Sequence, residues 1–320
     1  MRNQLFNRNH IQLESLSKRH HKLTRDHIQS LCPIESERIH EDFYPIAKAI
    51  KDAVNYQSSV ILMMGAHVIR SGVQRYIIDL MKNGYISCIA MNGAGVIHDF
   101  EFSLIGATTE SVAHYIQDGH FGFWNETGKI NDIVVQAAKN QMGLGEAVGQ
   151  YIFDNKLPYQ DISLLAAGVQ FNIPITVHVG IGYDIIHQFP NCDGAAYGTA
   201  SYQDFLKFAH IMASLENGVV MNFGSAVMGP EIFLKALSMV RNVARQNQQK
   251  ISHFTTLVCD LIQLPKNIHQ EPDSSNPYYY FRPWKTMLVR TVADGGQSFY
   301  IQGNHAQTIP SLWTSINQMD

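Results

Sequence analysis

The 320-residue chain predicts an α/β protein: a single doubly wound, mainly parallel sheet with helices on both faces. Three observations carry this. Apolar runs of strand length recur along the chain, small residues follow most of them, and helical stretches separate them. Hydrophobic residues make up 45% and charged residues 16%, enough apolar surface for a sizeable core and too little charge for a disordered chain.

Residues 1–45 stand apart. They are polar, hold five of the 15 histidines and contain the basic run Lys18-Arg19-His20-His21. They predict an N-terminal extension of one or two helices ahead of a single domain over residues 46–320. Asp42 to Pro45 lead into an amphipathic helix over Ile46–Val54. Residues 58–66 (SSVILMMGA) read as a buried strand ending in Gly65-Ala66. Residues 70–84 read as a helix closed by Gly84. Residues 85–95 read as a second strand ending in Asn92-Gly93-Ala94-Gly95. Further on, a helix over 163–172 precedes a strand over 173–182, and a helix over 202–218 precedes the strand 219–227. A helix follows with Pro230 at its start, where proline is tolerated. Strands over 253–261 and 298–304 complete about six, and a last helix begins at Pro310. Leu264–Tyr278, rich in Pro, Ser and Asn, predicts a flexible connection.

Composition excludes several classes. With 24 Lys+Arg against 27 Asp+Glu, no basic excess points to nucleic acid or an anionic membrane surface. The N-terminus has no apolar signal region and no apolar run reaches about 18 residues, so a cytoplasmic protein is expected. The four cysteines, Cys32, Cys88, Cys192 and Cys259, lie far apart and form no C-x-x-C pair. They read as free buried thiols, with neither a zinc site nor a dithiol pair expected.

In an open parallel sheet, ligands bind at the carboxyl ends of the strands. Four such ends carry small residues: Gly65-Ala66, Asn92-Gly93-Ala94-Gly95, Gly224-Ser225-Ala226 and Gly303-Asn304. Bare N–H groups there suit phosphates, so a nucleotide-like ligand is expected, although the spacing is not G-x-G-x-x-G. His178, Asp184, His187 and Asp193 lie at and after one strand end. They are open to three readings: metal ligands, polar substrate contacts with acid–base roles, or hydrogen-bonded loop residues. His98, Asp99 and Glu101 follow the second glycine turn. The helix dipole accounts for the acids but not for His98. Trp284-Lys285 sets an aromatic beside a cation, as in small polar-ligand sites.

These motifs together resemble deoxyhypusine synthase, and in particular a divergent, bacterial-type branch of that family. Ile69-Arg70-Ser71-Gly72 opening a helix, then Asn92-Gly93-Ala94-Gly95-Val-Ile-His98-Asp99, resemble its first NAD-binding unit. Asn172-Ile-Pro-Ile, Gly224-Ser225-Ala226-Val227, Trp284-Lys285 and Asn304-His305-Ala-x-x-Ile-Pro310 resemble later motifs in the same order, over about residues 59–313. The resemblance implies NAD held by Ser71, Asn92, Gly93, Ala94, Gly95, Gly224, Ser225, Ala226, Asn304 and His305. It implies aminobutyl transfer from a polyamine to a protein lysine through an imine on Lys285, and a cytoplasmic homotetramer. Asp184, His187 and His98 would then orient the amine and move protons, with Trp284, Asp193 and Asp99 near the substrate. Two departures are plain: a family glutamate aligns with His98, and Thr286, not Lys285, stands in strict register with the family lysine. Other classes on the same scaffold are an NAD-consuming enzyme of sirtuin type, a nucleotide-binding protein without catalysis, and a metal hydrolase using His178, Asp184, His187 and Asp193.

Overall fold

The computed structural model describes residues 4–319. Among the described residues no α-helix precedes Phe43, where one or two were expected. Short 3-10 turns and a two-residue strand, β1 (Leu23–Thr24), carry the extension across the domain. This stretch lacks a 3.6-residue apolar period, so it cannot bury a helical face. It is anchored residue by residue instead, with Leu16 packed against Tyr115 and Trp124.

The chain then runs α1 (Phe43–Asn55), β2 (Val60–Met64), α2 (His67–Arg70), α3 (Gln74–Lys82), β3 (Cys88–Asn92) and α4 (Gly93–Ile105). The single helix expected over 70–84 is broken at Gly72. There φ is +73°, and a Cβ would lie 2.0 Å from the His27 carbonyl oxygen of the extension crossing it. Residues 106–162, to which the pattern assigns nothing, form β4 (Ala107–Thr108), α5 (Val112–Tyr115), α6 (Lys129–Lys139) and α7 (Leu144–Asp154). β4 pairs antiparallel with β1, which stitches the extension to the domain.

The remainder is α8 (Leu164–Gln170), β5 (Ile175–His178), α9 (Gly194–Met212), β6 (Val219–Phe223), α10 (Met228–Gln246), β7 (Thr255–Asp260), a π-helix over Trp284–Arg290, β8 (Gln297–Gln302) and α11 (His305–Gln318). α9 starts at Gly194, ahead of the expected Tyr202, because Asp193 Oδ1 accepts from the N–H groups of Ala195 and Ala196 at 2.9 and 3.1 Å. α11 starts at His305 with Pro310 inside it. Proline there cannot bond the carbonyl four residues back. That carbonyl, of Ala306, accepts from Gln29 Nε2 at 3.2 Å instead, so the extension repairs the break.

Six strands form one parallel sheet in the order β5-β3-β2-β6-β7-β8. Taken in chain order within the sheet this is 3-2-1-4-5-6, the doubly wound dinucleotide-fold order, and the direction of winding reverses between β2 and β6. The expected fold class is present. The strands alternate between two cores. Val60, Leu62 and Met64 join one core with α1, α3, α4 and α7, while Ile61 and Met63 join the other with α9, α10 and the π-helix. No described helix is long and apolar enough to cross a membrane. Of the four free cysteines, Cys32 is exposed where burial was expected, because it sits in the polar extension.

Asp99, expected near the substrate, lies inside α4 and holds α8. Its carboxylate accepts from Ser163 Oγ at 2.5 Å and from the N–H groups of Leu164 and Leu165 at 2.8 and 3.1 Å. Burial pushes its pKa up to about 6. Asp99→Ala removes three hydrogen bonds inside the core and is expected to lower unfolding stability by roughly 2–3 kcal/mol, measured by denaturant titration.

Candidate functional site

Because every strand of the main sheet points the same way, their carboxyl ends share one edge. A cavity of about 390 Å³ opens there, beyond β3 and β5. Its floor is the first turns of α4, with Ala94, Ile97 and His98. Arg70 after β2 and Asp184 after β5 flank it, and Arg19 and Lys22 of the extension close one side.

The wall is built on a buried ion pair. Arg19 donates to Glu101 through both terminal nitrogens, each at 2.8 Å, with both side chains 1% exposed. Glu101 is surrounded by apolar α4 neighbours, and its charge is held by Arg19 and by hydroxyl donors. Thr108 Oγ1 donates at 2.6 Å and Thr127 Oγ1 at 2.7 Å. Burial alone would raise its pKa, but these partners prevail and hold it below the usual value. Glu110 lies beside the pair, with its two oxygens taken by Trp124 Nε1 at 2.8 Å and Gly122 N at 3.0 Å.

The ion pair sets the state of His98. The Thr108 hydroxyl spends its proton on Glu101, so toward His98 Nδ1, 2.8 Å away, it is an acceptor. Nδ1 therefore carries the hydrogen, and Nε2 keeps its lone pair. Burial pushes the imidazole pKa down to about 4 against the pull of the Glu101 charge, with the Arg70 and Arg19 charges adding to the lowering. A neutral imidazole in one tautomer thus lines the cavity.

Asp184 supplies the second titratable group. Its carboxylate rests on the start of α4 and accepts from Ala94 N–H. A Cβ on Gly93 would lie 2.1 Å from Asp184 Oδ2, so only glycine admits the carboxylate there. The His187 N–H bonds the Asp184 backbone carbonyl at 3.0 Å, while His187 Nδ1 accepts from the N–H groups of Gly182 and Asp184, each at 3.2 Å. Burial pushes the Asp184 pKa up to about 6. His187 is a brace, packed edge-on against Tyr197 at 4.8 Å, with burial lowering its pKa.

The expected cofactor residues lie along the same edge, at several strand ends. At the switch point Gly65 and Gly224 abut, and a Cβ on Gly65 would lie 2.5 Å from the Gly224 carbonyl oxygen. Asn222 clamps the following turn, accepting from Ser225 N at 3.1 Å and donating to Ser225 O at 2.9 Å. Ser225 Oγ accepts from Gly229 N at the start of α10, and Ala226 is exposed. Ser71 donates to His67 O at 2.8 Å. Asn304 is exposed and caps α11 without a side-chain bond to it. His305 is buried against Phe223, and its Nδ1 has no partner. At the Asn92 turn the N–H groups have acceptors within the chain, Asn92 Oδ1 for Gly95 at 3.1 Å and Asp184 for Ala94.

The remaining candidates fall elsewhere. Lys285 belongs to the π-helix, on the other face of the sheet. It is 4% exposed, with Nζ 3.4 Å from the centre of the Tyr279 ring. Trp284 is a core residue whose Nε1 donates to Ile268 O at 3.0 Å. Asp193 caps α9. His178 bonds Thr176 Oγ1 at 2.9 Å and is buried against Phe208. Among the described residues no group of three or more His, Cys, Asp or Glu side chains is placed to hold a metal ion. Arg19, Lys22, Arg70 and Glu110 were not among the expected site residues. One signal for the ion pair was present: a lone glutamate between Phe100 and Phe102 demands a buried partner.

No protein-family model and no curated protein matches the chain. Solved structures do. Unliganded AgrE superposes with a TM-score of 0.53 at 12% identity, over 91% of this chain and 34% of that one. AgrE in ternary complex with ornithine and NAD+ gives 0.51 at 12% identity, with the same coverage. The chain thus spans about a third of AgrE's length. A protein from Entamoeba histolytica provisionally assigned as a deoxyhypusine synthase gives 0.37 at 8% identity, over 81% of this chain and 74% of that one. The AgrE matches show a shared fold; the last score carries no weight.

Two outcomes test the wall. Arg19→Ala strands Glu101 without its counter-charge and is expected to cost about 3–5 kcal/mol of stability, read by chemical denaturation. For Asp184, the folded pKa of about 6 lies above the unfolded value. Its contribution to stability is therefore present at low pH and lost as pH rises through about 6. Asp184→Asn is expected to gain thermal stability relative to the parent protein across that interval, measured by melting curves at stepped pH.

Proposed function

We propose that this chain is an NAD-dependent enzyme acting on a small amine, with the cavity over α4 as its substrate site. The observation that carries the reading is His98: a neutral imidazole, fixed in one tautomer by Glu101 and Thr108, lining a cavity at the carboxyl edge of a sheet with the dinucleotide strand order. The shared fold with AgrE, solved with ornithine and NAD+, supports the choice of cofactor and amine. A nicotinamide nucleotide fits the edge in part. The unpartnered Nδ1 of His305 would offer it a polar contact, with Ser71 and the exposed Asn304 on the same edge, while the Gly65–Gly224 contact itself is closed by backbone and by the His305 ring. The α4 start fits less well while Asp184 holds it. Bound there, the cofactor supplies a hydride acceptor.

The chain's own groups then do the rest. His98 Nε2 accepts a hydrogen bond from the substrate amine and orients it, since its lone pair is free and Nδ1 is committed to Thr108. Asp184, titrating near 6, accepts or returns a proton beside it. The extension, through Arg19, excludes water from one side.

A second reading, aminobutyl transfer from a polyamine to a protein lysine through an imine on Lys285, has one observation in its favour. The Lys285 amine is buried against Tyr279 and has no carboxylate within ion-pair distance among the described residues. An unpaired buried amine is a suitable nucleophile.

One experiment separates them. NAD at about a hundredfold its dissociation constant should stabilise the protein by roughly 2.7 kcal/mol, seen as a rise in melting temperature. Amine-dependent NADH formation is expected to fall by at least about a hundredfold in His98→Gln with the NAD shift retained. Loss of turnover in Lys285→Ala but not in His98→Gln would reverse the assignment. No shift with NAD would overturn both readings.

A further inference from the structure

The charges lining the cavity do not match a polyamine. The cavity's two glutamates are already committed. Both Glu101 oxygens receive Arg19, and both Glu110 oxygens receive N–H donors. Asp184 rests on the Gly93–Ala94 backbone and receives the N–H of Ala94. The cations are not balanced in this way. Arg19 is neutralised, but Arg70 and Lys22 have no carboxylate within ion-pair distance among the described residues. Arg70 donates only to His67 Nε2, at 3.0 Å, and its Nε is buried with no partner. A guanidinium with unspent donors facing a cavity selects a carboxylate, which it can grip through two nitrogens. His98 presents a lone pair to the same space, and so selects a donor such as an ammonium.

From this arrangement we propose that the cavity binds a small α-amino acid, with its carboxylate held by Arg70 and Lys22 and its amino group directed at His98 Nε2. The proposal rests on the cavity being the substrate site and narrows the amine to one bearing a carboxylate. Arg70 sits at the end of α2, after β2, and Lys22 just ahead of β1, its N–H bonded to Thr109 O at 2.8 Å. A carboxylate held by both would thus bridge the extension and the sheet edge. The polycation expected from the family resemblance would instead meet two uncompensated positive charges.

The test uses a matched pair. Ornithine and 1,4-diaminobutane differ only by the carboxylate. Calorimetric titration of the full chain, with NAD present, is expected to show ornithine binding at least about tenfold tighter than the diamine. Arg70→Gln is expected to weaken ornithine binding by roughly ten- to a hundredfold and to leave the NAD-induced melting shift unchanged. Lys22→Gln, an exposed change that spares the fold, is expected to weaken it in the same direction. Equal or tighter binding of the diamine would overturn the proposal, as would ornithine binding unaffected by both substitutions. Failure of both ligands to bind would also overturn it, and an intact NAD shift in that case would leave the cofactor reading standing.

Discussion

The Arg19–Glu101 ion pair is the constraint from which the cavity follows. Moving two charges out of water costs several kcal/mol per ion, repaid only by close geometry and full hydrogen bonding. Glu101 meets that condition with a bidentate guanidinium and two hydroxyls. The consequences reach outward. Thr108 is oriented by its bond to the carboxylate, and His98 is oriented by Thr108. The extension cannot leave the domain without stranding a buried charge, so it serves as a wall and not a tail. The same pairing withdraws both charges from the cavity and leaves Arg70 and Lys22 to set its polarity.

The sheet supplies the second constraint. Six parallel strands place all their carboxyl ends on one edge, and a reversal of winding leaves a crevice between β2 and β6. Backbone approaches backbone there, at Gly65 and Gly224, so side chains are excluded for packing reasons before any ligand is considered. Small residues at strand ends therefore serve two purposes, and the structure distinguishes them. At Gly93 the vacancy is filled by the chain's own Asp184. At Gly224 it is filled by the edge of His305.

How much of this was legible in the sequence follows the range of the interactions. The six strands and most helices were legible, because strand length, apolar content and terminal small residues are local signals. β2, β3, β5, β6 and β7 fall inside the stretches read as strands, and β8 begins one residue ahead of its stretch. Of the helices in residues 106–162, α5 spans only one turn, whereas Ile130, Ile133, Val134 and Ala137 of α6 recur at helical spacing, so that helix was legible in the pattern and went unassigned. The start of α11 was misplaced because proline usually opens a helix. Here Gln29, distant in sequence, satisfies the carbonyl that Pro310 leaves free.

The site divides along the same line. His98 and Asp184 were singled out, because each follows a strand end and the edge of a parallel sheet is a local deduction. Asp99 and Asp193 were singled out by the same rule and proved to be helix caps, since a carboxylate at a helix start serves the backbone as readily as a ligand. Arg19 and Lys22 could not be placed, because a basic run in a polar extension reads as a solvated face until its partner is known. That partner is a carboxylate on α4, far along the chain. Arg70 stood inside a motif noted for its neighbours Ser71 and Gly72. Its importance arises only from what it lacks: a carboxylate partner, in a cavity whose two glutamates are spoken for. Absence of a counter-charge is a property of the folded arrangement, and it decides which ligand charge the cavity can stabilise.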